Sequence, residues 1–293
     1  MRLFFIINGR CRRSKSDKLE LQLRFGNEHA YRLTEASGHA SELAKIAVDN
    51  CYTHLIAVGG DGTINEVVNG MISSEAFDTS RPILTFLPRG SGNDLARTLS
   101  YDASIESLEQ RIRRNNYMAM DVGCARWEKD FRYFLNVMDF GLGGNVAAKV
   151  EAYRRGRWSF LAYQRAICSV LPFYRKHTIK ISSREFKFEG KALSVVIANG
   201  RWFGGGLGIA PDALSDDGLL NLVVLGNVGI LEYLFYLPRI LKGKKIEHRE
   251  VLYATTNEVI VIGTNVLCEL DGEIARQAPA NISVIAGKIR MLI

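Results

Sequence analysis

Apolar and polar positions along the first 120 residues fall into short apolar runs separated by segments of helical period. RLFFIIN (Arg2–Asn8) is aromatic and β-branched and stops at the turn-forming pair Asn8-Gly9, which predicts a buried strand. KLELQLRF alternates apolar and polar residues like a strand, yet its Leu, Glu, Gln and Lys are helix formers, and a helix is expected. Tyr31–Leu33 predicts a short strand, Gly38–Asn50 a helix, His54–Val58 a buried strand and Thr63–Ile72 a helix. Pro82–Pro88 then predicts a strand and Asn93–Leu99 the start of a helix. Strands alternating with helices imply βαβ units around a parallel sheet.

Near residue 120 the period changes. Strand-like runs follow at Phe131–Val137, His177–Ser182, Ala192–Ala198, Leu219–Leu225, Val259–Ile262, Ser283–Ala286 and Lys288–Ile293. Helical insertions interrupt them at about Gly144–Tyr174 and Gly229–Leu241. The expected fold class is α/β: a three-layer N-terminal domain with a parallel sheet over residues 1–120, then a C-terminal β-sandwich domain over 121–286. The last strand, about 287–293, is expected to return to the first domain. No repeat and no Pro/Ser-rich linker is present, so the cleft between the domains is the default ligand site.

A chain of 293 residues can build two hydrophobic cores. Its five cysteines are scattered and never form C-x-x-C, which argues against a disulfide framework or zinc site and for a reducing cytosol. The start, MRLFFIINGR, is too short in its apolar run for a signal peptide, and no apolar run is long enough to span a membrane. The net charge of +7 is matched by one stretch alone, Lys149–Lys180, with eight Lys/Arg against Glu151. Tyr153, Trp158, Phe160, Tyr163, Phe173 and Tyr174 are threaded through it. Cations interleaved with rings suit anionic lipid headgroups, nucleic acid, or a solvated face on helices whose rings fill a core. The pattern alone leaves these open.

Two glycine-rich segments carry the candidate chemistry. VGGDGTINEVVNG (Val58–Gly70) leads from a strand into a helix, and LPRGSGNDLAR (Leu87–Arg97) does so after the next strand. Glycines let backbone N–H groups converge on an anion, and a helix N-terminus adds roughly half a positive charge. Asp61 would repel a bare phosphate, which points to an intervening Mg²⁺ or a ribose hydroxyl. A tight connector in which Asp61 or Thr63 caps the helix fits the same residues. Neither loop reads G-x-x-x-x-G-K-[ST], and no G-x-G-x-x-G follows the first strand, which argues against a P-loop and an ordinary dinucleotide fold.

The paired loops resemble the diacylglycerol kinase catalytic domain family, which includes soluble bacterial lipid kinases and is related to sphingosine and ceramide kinases. LTEASGHA (33–40), FLNVMDFGLGG (134–144), ANGRWFGGGLGIAPDALSDDGLLNL (198–222) and LDGE (270–273) occur in family order, so the likeness spans nearly the whole chain. It implies an ATP- and Mg²⁺-dependent kinase that moves the γ-phosphoryl group to a lipid hydroxyl, of diacylglycerol or a related lipid. It further implies a cytoplasmic enzyme meeting its lipid at a membrane surface, with no nucleic-acid partner. The matching nucleotide positions are Asn8, Thr34, Gly60, Asp61, Gly62, Thr63, Ile64, Asn65, Glu66 and Ser91. The turn Asn8-Gly9-Arg10 lacks the family's proline.

By the same resemblance Mg²⁺ is held by the Asp217 carboxylate with the Leu214 and Leu219 carbonyls, away from the transfer site, with Asp216 nearby. Glu273 is the implied proton acceptor, Asp271 is placed to assist it or to hold a metal, and Asp61 is expected to work on the nucleotide or its metal. The residues alone also read as turns, Asp216-Asp217-Gly218 between strands and Asp271-Gly272 in a hairpin. Asp61→Ala and Glu273→Ala are each expected to abolish transfer while leaving the fold intact. An NAD kinase shares the GGDGT loop, but GSGND and GGG-x-x-I-A-P stand against it. A non-catalytic lipid- or nucleotide-binding regulator is the reading from another class. The segment 149–180 and the apolar helix Ile230–Leu241 are candidate membrane contacts, with helices packed on the β-domain as the other reading. The sequence does not name the lipid acceptor, and a homo-oligomer stays open.

Overall fold

In the computed structural model, which describes residues 1–79, 82–154 and 162–293, the apolar run Leu3–Ile7 forms β1 and is buried throughout. Neighbouring strands pair with it on both sides, and helices cover its faces, so every side chain of the run has a core to enter. The next elements are α1 (Ser14–Phe25), β2 (Ala30–Leu33), α2 (His39–Asp49), β3 (His54–Gly59), α3 (Asp61–Ser73), β4 (Ile83–Pro88), α4 (Asp94–Thr98) and α5 (Ile105–Arg114). KLELQLRF lies in α1. The sequence reading did not anticipate α5, although Ser104 caps it through Ser107 N–H at 3.1 Å and Ile105, Leu108 and Ile112 form its buried face.

The described residues divide into two units, Met1–Met120 with Ala286–Ile293, and Asp121–Ile285. In the first, the strands are parallel in the order β2-β1-β3-β4. Residues 290–291, at the end of the last strand, pair in parallel with β4. The register Val58↔Leu87 and Gly59↔Pro88 brings the two glycine loops off adjacent strand ends.

The second unit follows with β5 (Tyr117–Trp127), β6 (Asp130–Phe134), β7 (Val137–Gly141), α6 (Leu142–Arg154) and α7 (Ala162–Val170). A 3₁₀ turn (Leu171–Phe173) leads to β8 (His177–Ser182), β9 (Lys187–Ala192), β10 (Ser194–Ala198) and β11 (Leu220–Leu225). The chain ends with α8 (Ile230–Leu241), β12 (Val251–Thr256), β13 (Glu258–Gly263), β14 (Cys268–Leu270), β15 (Glu273–Ile274) and β16 (Ala280–Leu292). One antiparallel sheet runs β12-β11-β10-β7-β14-β15. A core of Phe134, Met138, Phe140, Val195, Ile197, Ile181, Val261 and Ile282 joins it to the sheet holding β13, β8 and β9, giving a sandwich. Its other face packs on α6, α7 and α8 through Val137, Leu142, Val196, Val223 and Tyr233. Strand β10 is therefore apolar at consecutive positions: Val195 and Ile197 enter one core, Val196 and Ala198 the other.

Several expected strands differ in outline. Phe131–Val137 is broken between β6 and β7, because the Asp271 carboxylate takes the N–H groups of Leu135, Asn136 and Val137 at 2.8, 3.0 and 3.0 Å. Conversely Ser283–Ala286 and nearly all of Lys288–Ile293 fall within one strand, β16, which Gly287, at a φ of 56°, does not end.

Candidate active site

Four loops at the strand ends of the first unit are tied together by named bonds. Asn8 Nδ2 donates to Thr63 Oγ1 at 2.8 Å, and its Oδ1 accepts from Arg10 N–H at 3.0 Å. Gly9 N–H donates to Thr34 Oγ1 at 3.2 Å, and a Cβ on Gly9 would lie 2.2 Å from the Thr34 carbonyl oxygen. The Cys11 thiol meets the Arg89 carbonyl at 3.6 Å. Arg89 in turn grips the fully buried Asp17 of α1 through Nε at 2.9 Å and Nη2 at 3.2 Å. The turn after β1 is thus held in place without the family's proline.

The glycine loops touch backbone to backbone. A Cβ on Gly60 would come within 2.8 Å of Gly90 Cα, and one on Gly90 within 2.5 Å of Gly60 Cα. Only glycine at both positions permits that approach. Behind the contact α3 begins at Asp61, and its first intrahelical bond is Ile64 N–H to the Gly60 carbonyl at 3.1 Å. The N–H groups of Asp61, Gly62 and Thr63 precede that bond and make none of their own among the described residues. Three free donors at a helix N-terminus form an anion cradle. The exposed Ser91 hydroxyl stands on the second loop, with no partner among the described residues.

Other expected nucleotide positions are engaged elsewhere. Asp61 accepts Asp94 N–H on Oδ2 at 3.2 Å and Leu95 N–H on Oδ1 at 3.0 Å, so its carboxylate caps α4 of the second loop. Glu66 accepts Ala40 N–H at 3.2 Å and faces the Ser37 hydroxyl at 3.5 Å, at the N-terminus of α2. Asn65 is buried and bonds Asn69, and the Ile64 side chain is in the core. At the helix start, both acids act on the dipoles of other helices.

In the second unit, Asp271 and Gly272 both take positive φ, 47° and 85°, and turn β14 into β15 with Leu270 opposite Glu273. Glu273, half-buried at the sheet edge, pairs through Oε2 with Arg132 Nη2 of β6. In the segment 214–219, Asp217 is exposed and its Oδ1 accepts Leu219 N–H at 3.0 Å. The segment rests on a buried network: Asp121 Oδ2 accepts Gly218 N–H at 2.7 Å, Asp121 N–H donates to the Ser215 carbonyl at 2.7 Å, and Ser215 Oγ donates to the Asn199 carbonyl at 2.9 Å. No group of three or more His, Cys, Asp and Glu comes together among the described residues. The exposed Asp217 carboxylate is an oxygen donor of the kind Mg²⁺ takes, a hard cation that keeps most of its waters.

A small apolar pocket lies between the sheet and its helices in the same unit, lined by Leu142, Val146, Ile167, Phe203, Leu225 and Tyr233 among others. Its polar floor is Asp139, which accepts Gly143 N–H at 2.8 Å and the Ser194 hydroxyl. Burial pushes the Asp139 carboxyl up to about 7, against the lowering effect of those two bonds.

Residues 2–125 match the diacylglycerol kinase catalytic domain, and residues 136–293 match the YegS C-terminal NAD kinase beta sandwich-like domain. A Yersinia pestis protein named "Probable lipid kinase YegS-like" is 30% identical over 260 residues, covering 88% of this chain and 82% of its own. The chain belongs to the YegS-like and diacylglycerol kinase family of lipid kinases. These are phosphotransferases. A Bacillus subtilis diacylglycerol kinase is 28% identical over 256 residues, 87% of this chain and 82% of its own. A diacylglycerol kinase structure from Bacillus anthracis shares the fold at a TM-score of 0.74 and 21% identity, covering 99% of this chain and 96% of that one. An Archaeoglobus fulgidus NAD kinase, solved in complex with ATP, shares it at 0.55 and 12%, covering 100% and 93%.

Within this lipid kinase fold, sequence reasoning missed Arg132, Asp121, Asn199 and Asp139. A lone Asp or Asn within a strand carries no local signal of a partner far along the chain. Arg132 stands among the alternating residues of an edge hairpin, where a cation is ordinary.

Proposed function

We propose that the protein is an ATP- and Mg²⁺-dependent lipid kinase that transfers the γ-phosphoryl group to the hydroxyl of diacylglycerol or a related lipid. The observation that carries this reading is the pair of glycine loops in backbone contact beside three free N–H groups at the start of α3. In this reading the first unit binds nucleotide. Asp61, Gly62 and Thr63 offer backbone donors to phosphate, Ser91 a hydroxyl, and Thr34 and Asn8 set the loop that flanks them. Asp61 is then a positioning residue, holding one loop against the other.

The second unit supplies the acceptor chemistry. As the lipid oxygen bonds to the γ-phosphorus and the bond to the β–γ bridging oxygen breaks, the hydroxyl proton passes to a carboxylate oxygen of Glu273. Arg132 holds that carboxylate in place. ADP carries away the bridging oxygen. Asp217, with the carbonyls of Leu214 and Leu219, would hold Mg²⁺ in a site that fixes the turn. No helix of the described residues is long and apolar enough to cross a membrane, and we place the enzyme in the cytoplasm, meeting its lipid at the bilayer surface.

The test is incubation with γ-labelled ATP and a panel of acceptors: diacylglycerol, phosphatidylglycerol, a sphingoid base, ceramide and a polyprenol in mixed micelles, and free NAD. A labelled lipid that disappears in Glu273→Gln supports the reading. Label entering NAD alone, or no acceptor, refutes it.

A further inference from the structure

Helix α8 is apolar on two faces, with Glu232 and Arg239 as its charged residues. Tyr233 and Ile240 face inward and are buried under the sheet. Outward stand Leu231, Leu234, Phe235 and Leu241, at 82, 44, 77 and 52% exposure, with Pro238 between them. At 3.6 residues per turn these positions share roughly a third of the helix circumference. A surface helix of a soluble domain puts charge on that face. This one puts three leucines and a phenylalanine there.

The flank of the stripe is cationic. From Arg239 to Lys245 there are four basic residues and no acid. Arg239 is paired with Glu247 at 3.0 Å and Lys245 with Asp212, whereas Lys242 and Lys244 are exposed and have no side-chain partner among the described residues. Glu232, at the other end, is committed to Gly229 N–H at 2.6 Å and to His248 at 3.6 Å. Lys176 Nζ bonds Asn227 Oδ1 at 2.8 Å, which brings the chain just after Phe173, itself 85% exposed, to the loop that enters α8. Rings and leucines flanked by unpaired lysines match the headgroup boundary of an anionic bilayer. A second copy of the chain is a poorer match, since a two-fold contact through this stripe would set like charges at its rim.

We propose that α8 is a bilayer-docking helix, with Leu231, Leu234, Phe235 and Leu241 entering the acyl boundary and Lys242 and Lys244 meeting anionic headgroups. This deepens the lipid kinase reading, and rests on it only for the purpose of the docking. The segment 155–161, within the basic stretch also expected to contact membrane, lies outside the described residues.

The test uses the full chain without ATP, sedimented with phosphatidylcholine vesicles with and without phosphatidylglycerol. Wild type is expected to bind the anionic vesicles. Leu231→Ser with Phe235→Ser should lower the partition coefficient about 100-fold. Lys242→Glu with Lys244→Glu should lower it by about tenfold or more, on anionic vesicles only. A tryptophan at 235, made as Phe235→Trp, should shift its emission to the blue on vesicle addition. Melting curves of the exposed-site variants should overlay wild type. Equal binding by wild type and the Leu231/Phe235 variant overturns the proposal. So does a dimer that dissociates in that variant while vesicle binding is unchanged, which assigns the stripe to a second copy. Because binding is read without turnover, phosphorylation of a micellar lipid by a protein that ignores vesicles sinks the docking helix and spares the kinase.

Discussion

Removing the Asp61 carboxylate should loosen the joint between the two glycine loops, against the expectation that Asp61→Ala leaves the fold intact. Its two oxygens accept the N–H groups of Asp94 and Leu95 at 3.2 and 3.0 Å, at the start of a helix only five residues long. Hydrogen bonds to a charged group contribute about 1.5–3 kcal/mol each when buried, and loss of an N-cap costs about 1 kcal/mol. With Asp61 half-exposed and α4 short, about 2 kcal/mol is the expected net loss in Asp61→Ala. For a unit of this size that lowers the melting temperature by roughly 5–10 °C. Asp61→Asn retains one acceptor oxygen and should lose about half as much. Both should raise the KM for ATP, since a cradle displaced by 1 Å can cost about 100-fold in kcat/KM. Thermal unfolding by circular dichroism, read beside steady-state kinetics, checks the two effects together. An Asp61→Ala protein that melts within about 1 °C of wild type while inactive would refute the clamp, and would return Asp61 to direct work on the nucleotide or its metal.

Three further outcomes are expected. If Arg132 positions Glu273 as the proposed base, Arg132→Ala should lower kcat by about tenfold or more with the KM for ATP unchanged, and Arg132→Lys should recover part of it. Mg²⁺ should raise the melting temperature of wild type and not of Asp217→Ala, by linkage of a ligand to the folded state; an equal rise in both would remove the ion from this turn. Burial raises the Asp139 carboxyl from the ordinary 3.8 to about 7, so the native state binds the extra proton and stability should fall as pH rises from about 4 to 7. Asp139→Asn, facing the same Ser194, Gly143, Tyr174, Tyr233, Cys268 and Glu269, should flatten that slope and gain on the order of 3 kcal/mol at pH 8; parallel pH profiles would show that Asp139 is not the group responsible.

Much of the fold was legible because the signals are local. The run Leu3–Ile7, the helix formers of α1 and the Asp271-Gly272 turn each act within a few residues. The glycine loops were legible for a different reason: glycine identity reports where backbone approaches backbone, as at Gly60 and Gly90, even when the partner is unnamed. What stayed hidden depends on pairing across the chain. Arg132 and Glu273 are 141 positions apart, and Asp121 and Gly218 are 97 apart. Nothing in the residues around Asp271 says that its carboxylate will gather three N–H groups from 135–137 and split a strand.

The acids separate by what they hold. Asp61, Glu66 and Asp271 all lie in motifs whose chemistry points to catalysis or ligand binding, yet each places its oxygens on backbone N–H groups of another segment. Such a carboxylate is oriented toward donors that never leave, which suits it to fixing loops and leaves it badly placed to reach a hydroxyl that comes and goes. Glu273 is different: its partner is a side chain, the Arg132 guanidinium, and it stands at a sheet edge with about a third of its side chain exposed. Asp217 is different again, exposed and tied by one oxygen to its own turn. Within the proposed lipid kinase reading, sorting acids by donor type favours Glu273 as the base and Asp217 as the cation ligand. In the same reading Asp61 serves the joint between the glycine loops and Asp271 the break between β6 and β7, so a motif rich in carboxylates needs only one of them to take a proton.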